Sequence, residues 1–249
     1  MGVDSGLPDF RGPQGFWRAY PMYQALGIDF VDAATPVHFY NNPAFGWGFY
    51  GHRMGLYRQT EPHRGFSLLR DWVARYSLKC FVVTSNVDGQ FQKAGFEGEK
   101  ILEVHGSIHH LQCSVPCCGQ IWKNIETVPV DDATMNALHY PLCPYCGAVA
   151  RPNILMFGDA AWIPERSERQ RRRFEEFLDV STGPPTVIEL GAGTTVPTIR
   201  HLSERLIHRY GATLIRINPR EAQVPQGQIS LEMGALAGLE RMQAAMQGD

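Results

Sequence analysis

Apolar and polar positions alternate along this chain in two rhythms. Phe81, Val82, Val83 and Thr84 form a short β-branched run, the pattern of a strand buried on both faces. It breaks into Ser85, Asn86, Val87 and Asp88, polar groups at a strand's carboxyl end, where open α/β sheets present their ligands. Just upstream, Phe66, Leu69 and Val73 at i, i+3 and i+7 predict an amphipathic helix. Downstream, 154–157 predicts a short strand and 165–178 a charged helix with Phe174, Phe177 and Leu178 on one side. Residues 186–190 predict a strand entering Gly191-Ala192-Gly193-Thr194-Thr195; Ile199, Leu202 and Leu206 mark the next helix. A strand at 213–217 ends at Asn218, and a last helix is expected over 231–246. Strands alternating with helices imply an α/β, doubly wound parallel sheet.

Two stretches break the rhythm. The first, between residues 13 and 65, is aromatic and irregular; Trp17, Trp47, Phe49, Tyr50 and Tyr57 are expected to form the core of a small helical subdomain. The second, 113–150, has little periodicity and cysteines at both ends, and reads as an inserted module. The expected division is 1–38, 77–112 and 151–249 for the sheet-bearing domain. Residues 39–76 and 113–150 then supply the helical and cysteine-bearing parts of a small one.

Composition narrows the class. With 249 residues, 44% hydrophobic and 19% charged, the chain is long enough for a full core. A net charge of −2 argues against a general nucleic-acid binder. The interleaved Glu and Arg of 165–173 read as a solvated helix face. No apolar run reaches the roughly 18 residues of a membrane span, and no signal-peptide pattern opens the chain, so a cytosolic protein is expected. In that reducing compartment six cysteines read as metal ligands or free thiols.

Cys143-Pro144-Tyr145-Cys146-Gly147 is a metal knuckle, with glycine allowing the tight turn. Its partner pair is Cys113 with Cys117; Cys118, which precedes Gly119, is an alternative to Cys117. Four thiolates make a closed tetrahedral site, so a structural Zn2+ is expected. Cys80 reads as an apolar thiol within the first strand.

The order of motifs resembles the sirtuins, the NAD-dependent protein deacylases. Ser5-Gly6-Leu7-Pro8-Asp9-Phe10-Arg11-Gly12 is similar to the family's cofactor loop, Asn86-Val87-Asp88 to its Asn-Ile-Asp, and His105-Gly106-Ser107 to its His-Gly-Ser. Arg151 to Asp159 is similar to the segment that pairs with substrate peptide. The resemblance implies a Rossmann-like sheet with a helical and zinc-ribbon insertion, and His105 as general base. It implies NAD contacts at Asp9, Phe10, Arg11, Ser85, Asn86, Asp88, Gly191, Thr194 and Asn218. Met156, Phe157 and Gly158 would meet an acyl-lysine peptide or protein. The products would be nicotinamide and O-acyl-ADP-ribose. In the family a strand and a Gly-Ala-Gly turn precede the loop, and Met1 falls just after that turn's place, so the glycine turn is expected to be missing from this chain. His109 and His110 read as ordinary surface or packing residues. Rival readings are an NAD glycohydrolase or ADP-ribosyltransferase using the same pocket, and a weakened NAD- or protein-binding module.

Overall fold

A computed structural model describes residues 1–8 and 13–248. Helices α1 (Pro13–Ala19), α2 (Pro21–Ala25), α3 (Phe30–Ala33), α4 (Val37–Asn41), α5 (Pro43–Gln59) and α6 (Arg64–Arg75) come first. Then follow β1 (Val82–Thr84), α7 (Gln90–Lys93), β2 (Ile101–Glu103), β3 (Gly106–Cys113), β4 (Ile121–Lys123), β5 (Val130–Asp131), β6 (Asn136–Ala137) and β7 (Ala150–Ile154). The chain closes with α8 (Glu165–Asp179), β8 (Thr186–Leu190), α9 (Thr198–Tyr210), β9 (Thr213–Ile217), β10 (Ile229–Leu231) and α10 (Ala235–Gln247).

The parallel strands form two ladders. β1 pairs with β2, Val83 opposite Leu102, and β9 lies between β8 and β10. Successive side chains of a strand face opposite ways, and helices cover both faces. On one, Val83, Leu102, Val104 and Val187 meet Phe174 and Leu178 of α8 and Leu206 of α9. On the other, Ile188, Leu190, Ile215 and Ile217 meet Leu68 and Trp72 of α6 and Leu239 of α10. This is the expected Rossmann-like α/β arrangement.

Three local expectations are corrected. β1 is half-buried rather than buried on both faces, because among the described residues it has a ladder partner on one side alone. The strand expected over 154–157 is β7, which ends at Ile154. Beyond it, the amides of Leu155 and Phe157 leave the ladder for the carbonyls of His105 and Ala34. Leu231 belongs to β10, paired with Ile217, and the last helix starts at Ala235.

The aromatic stretch is core, as expected: Phe16, Tyr20, Tyr23, Phe39, Trp47, Phe49, Tyr50 and Tyr57 are buried together. The cluster runs into Ile108, Leu111 and Ala150 of the antiparallel β4-β3-β7 sheet and Ala137 of the β5–β6 hairpin. Trp47 donates to the Ala150 carbonyl at 2.7 Å, which ties α5 to the cysteine-bearing sheet. Among the described residues no helix is long and apolar enough to cross a membrane.

Candidate active site and cysteine cluster

The sheet edge gathers three polar turns. β1 ends at Thr84, whose Oγ1 accepts from the Asn86 amide at 3.0 Å. Asn86 is exposed and Ser85 half-buried, whereas Asp88 is buried. One Asp88 oxygen accepts from the Gln90 amide at 3.0 Å and so opens α7. Burial pushes the Asp88 carboxyl up and the charge of Glu103 adds to it, opposed by the Gln90 amide and the Arg53 guanidinium.

β2 delivers the second turn. His105 lies two residues past its end, and Gly106 holds φ +81, a conformation that favours glycine. A Cβ there would lie 2.0 Å from the Asn153 carbonyl oxygen, so β3 and β7 close together only over glycine. His105 is half-buried; a ring nitrogen donates to the Ser85 carbonyl, and Nε2 faces Thr198 Oγ1 at 3.4 Å. Burial lowers the imidazole pKa below 6.5, and the Ser85 contact works against that. The ring is therefore neutral at pH 7 and able to accept a proton. His109 is a packing residue, its Nε2 at 2.9 Å from the Asp88 carbonyl.

The third turn follows β8. Asn218 is buried, and its amide donates to the Ala192 carbonyl at 2.9 Å while its oxygen accepts from the Arg220 and Glu221 amides. Its side chain thus knits the glycine turn to the end of β9. Thr194, exposed, gives both its amide and its hydroxyl to the Glu221 carboxylate, and Gly191 sits at φ +64. Arg200 braces the turn by donating to the carbonyls of Ala192 and Glu221. Thr198, Arg200 and Glu221 escaped the sequence reading; only the place of Glu221, three residues after Asn218, marked it.

Asp9, Phe10 and Arg11 lie outside the described residues. Past β7, Met156 is buried, Phe157 is exposed but edge-on to Phe30, and Gly158 turns the chain at φ +66. Asp159 fixes this turn from inside: it pairs with Arg151 at 2.7 and 2.9 Å and accepts from the amides of Met156 and Ala161. Arg53 is a buried cation bonded to Tyr57 Oη at 2.9 Å and lying against the rings of Phe49 and Tyr50. Sequence periodicity had no means of placing it.

Cys113, Cys117, Cys143 and Cys146 converge, with all four sulfurs within 4.8 Å of one another. Cys113–Cys146 and Cys117–Cys143 are 3.6 and 3.7 Å apart. A tetrahedron with Zn–S arms of about 2.3 Å has edges of about 3.8 Å, so the cluster fits zinc closely. Burial pushes the Cys143 thiol up, but amides of Tyr145 and Cys146 and the neighbouring thiols outweigh it and hold it at about 7. Cys80 stays apart, half-buried, its thiol pushed up by burial.

The model of the Sir2 family matches residues 1–180. The chain belongs to the Sir2 family. Among its relatives, the NAD-dependent protein deacylase 1 of Caldanaerobacter subterraneus is 28% identical over 94% of this chain and 85% of its own. The NAD-dependent protein deacetylase 1 of Geobacillus kaustophilus is 29% identical over 88% and 77%. The crystal structure of a Sir2 homolog–NAD complex superposes with a TM-score of 0.71 at 23% identity, covering 99% of this chain and 86% of that one. These neighbours establish the Sir2 fold.

Proposed function

We infer that this Sir2-family chain is an NAD-dependent protein-lysine deacylase that releases nicotinamide and forms O-acyl-ADP-ribose. The observation that carries the reading is His105, a neutral imidazole beyond β2, with Ser85 and Thr198 bringing the turns after β1 and β8 to it. The named activities of the relatives support it.

The donor set fits NAD. Ser85 and Asn86 offer a hydroxyl and an amide, Asp88 a carboxylate, and the turn of Gly191 and Thr194 a backbone cradle at the carboxyl ends of parallel strands. Gln90 Oε1, two residues from Asp88, is buried with no partner among the described residues, an acceptor the fold leaves open. When bound, NAD supplies the ribose carbon from which nicotinamide departs and to which the acyl oxygen joins. Asn86 and Asp88 orient the nicotinamide end. His105 takes a proton from a ribose hydroxyl, and Asn218 and Glu221 hold the turn at the far end. The turn around Met156, Phe157 and Gly158 receives the acyl-lysine segment. Zinc, held by the four cysteines, has no open coordination position and serves the fold.

Acylated-lysine proteins are the partners in this reading, and the cytosol the place; the net charge of −2 gives nucleic acid no role. The test is nicotinamide release from NAD with and without an acetyl-lysine peptide. Peptide-dependent release is expected. Release without peptide identifies an NAD glycohydrolase instead, and no release a binding module.

A further inference from the structure

Cys118 stands beside the zinc site and no role in the fold or the chemistry absorbs it. Its sulfur is 3.7 Å from that of Cys117, the same spacing that separates Cys117 from Cys143 within the cluster. It lies at a tetrahedral edge length from one ligand while standing outside the group of four.

The two knuckles differ in register. In the second, the ligand Cys146 directly precedes Gly147, which turns the chain at φ +74 and donates its amide to the Cys143 carbonyl at 2.9 Å. In the first, the residue directly before glycine is Cys118, and the sulfur in the cluster belongs to the residue before that. The first knuckle therefore carries two thiols, one at each of two registers.

The loop that carries both thiols is exposed beyond an anchored start. Its near end is held firmly: Ser114 is buried, donates to the Val149 carbonyl at 3.0 Å and accepts from Tyr40 Oη at 2.8 Å. From Val115 to Cys117 the residues are exposed, and a Cβ on Gly119 would meet nothing within 4 Å. Cys113 and Cys143 are buried, so half of the tetrahedron is fixed in the core while the Cys117 corner faces solvent. A one-residue shift at that corner leaves the buried half undisturbed.

We propose that Cys118 is a reserve zinc ligand, taking the fourth position when the Cys117 thiolate is lost or blocked. The proposal rests on the four-thiolate zinc site but not on the deacylase activity. The site would then keep its metal through damage to an exposed corner.

The experiment compares wild-type protein with Cys117→Ser, Cys118→Ser and the double variant. Zinc content is read by mass spectrometry, and thiolate number by the visible and charge-transfer bands of Co2+ replacing zinc. Wild type, Cys117→Ser and Cys118→Ser should each hold one equivalent with a four-thiolate cobalt spectrum, and the double variant should not. A three-thiolate spectrum or loss of metal in Cys117→Ser overturns the proposal. Wild type lacking zinc would instead overturn the zinc site itself. Should Cys117→Ser fail to fold, Cys118→Ser decides: zinc loss to a chelator several-fold faster than wild type supports a recapturing thiol, and an unchanged rate overturns it.

Discussion

Gly106 and Asn153 approach so closely that a methyl group on the glycine would sit 2.0 Å from the Asn153 carbonyl oxygen. The contact fixes the start of β3 against β7 and thereby sets the angle at which His105, one residue earlier, leaves the sheet.

Gly106→Ala should therefore damage both stability and activity. The positive φ alone costs about 1–2 kcal/mol for a residue with a Cβ, and the clash adds to it. Thermal unfolding should shift down by several degrees, and nicotinamide release should fall by at least about tenfold. An unchanged melting temperature would show that the strands part at no cost.

His105→Ala should abolish deacylation of an acetyl-lysine peptide while leaving zinc content and stability close to wild type, within about 0.5 kcal/mol, because the ring is only half-buried. Since burial lowers its pKa, the acid limb of kcat/KM should fall below pH 6.5. A limb above pH 7, or activity in the variant, removes His105 from the chemistry.

His110 gives a second pH effect, on stability. Burial, followed by the charges of Arg166, His109 and Lys123, holds its pKa down at about 3. In the unfolded chain the ring takes a proton below about 6.5, so the unfolded state gains as pH falls from there toward 3. Stability should drop by on the order of 1 kcal/mol per pH unit across that window. His110→Gln should flatten the slope; urea midpoints at pH 7 and pH 5 measure it, and equal slopes would refute it.

Asp159→Asn leaves the Arg151 guanidinium buried without its counter-charge; both side chains are fully buried. Removing one partner of such a pair costs about 3–5 kcal/mol. Denaturant unfolding should show that loss, and peptide affinity should weaken as the Met156–Gly158 turn loosens. A variant as stable as wild type would mean that the pair contributes nothing net.

Cys143→Ser removes a buried corner of the four-sulfur cluster, 3.7 Å from the Cys117 sulfur. Zinc should be lost and 113–150 become protease-sensitive, since metal binding can supply on the order of 10 kcal/mol to such a module. One equivalent of zinc retained would contradict the four-thiolate site.

The sequence by itself determined the elements whose signal is local. Short apolar runs marked β8 and β9 to the residue, helical spacing marked α6, α8 and α9, and the Cys-Gly knuckle marked the metal site. It also singled out the polar turns after β1, β2 and β8, because sites at strand ends need only strand boundaries to be recognised. Tertiary structure decided what depends on partners far along the chain. Whether Cys117 or Cys118 joins the cluster depends on a loop's path, which spacing does not encode. β10 has three residues, too few for a period to show; it exists because β9 offers an edge. Asn218 lost its freedom to the Ala192 carbonyl, 26 residues away. Arg53 became a buried cation because aromatic rings from α3 and α5 close around it. Hydrophobic pattern specifies which face is buried; only packing specifies against what.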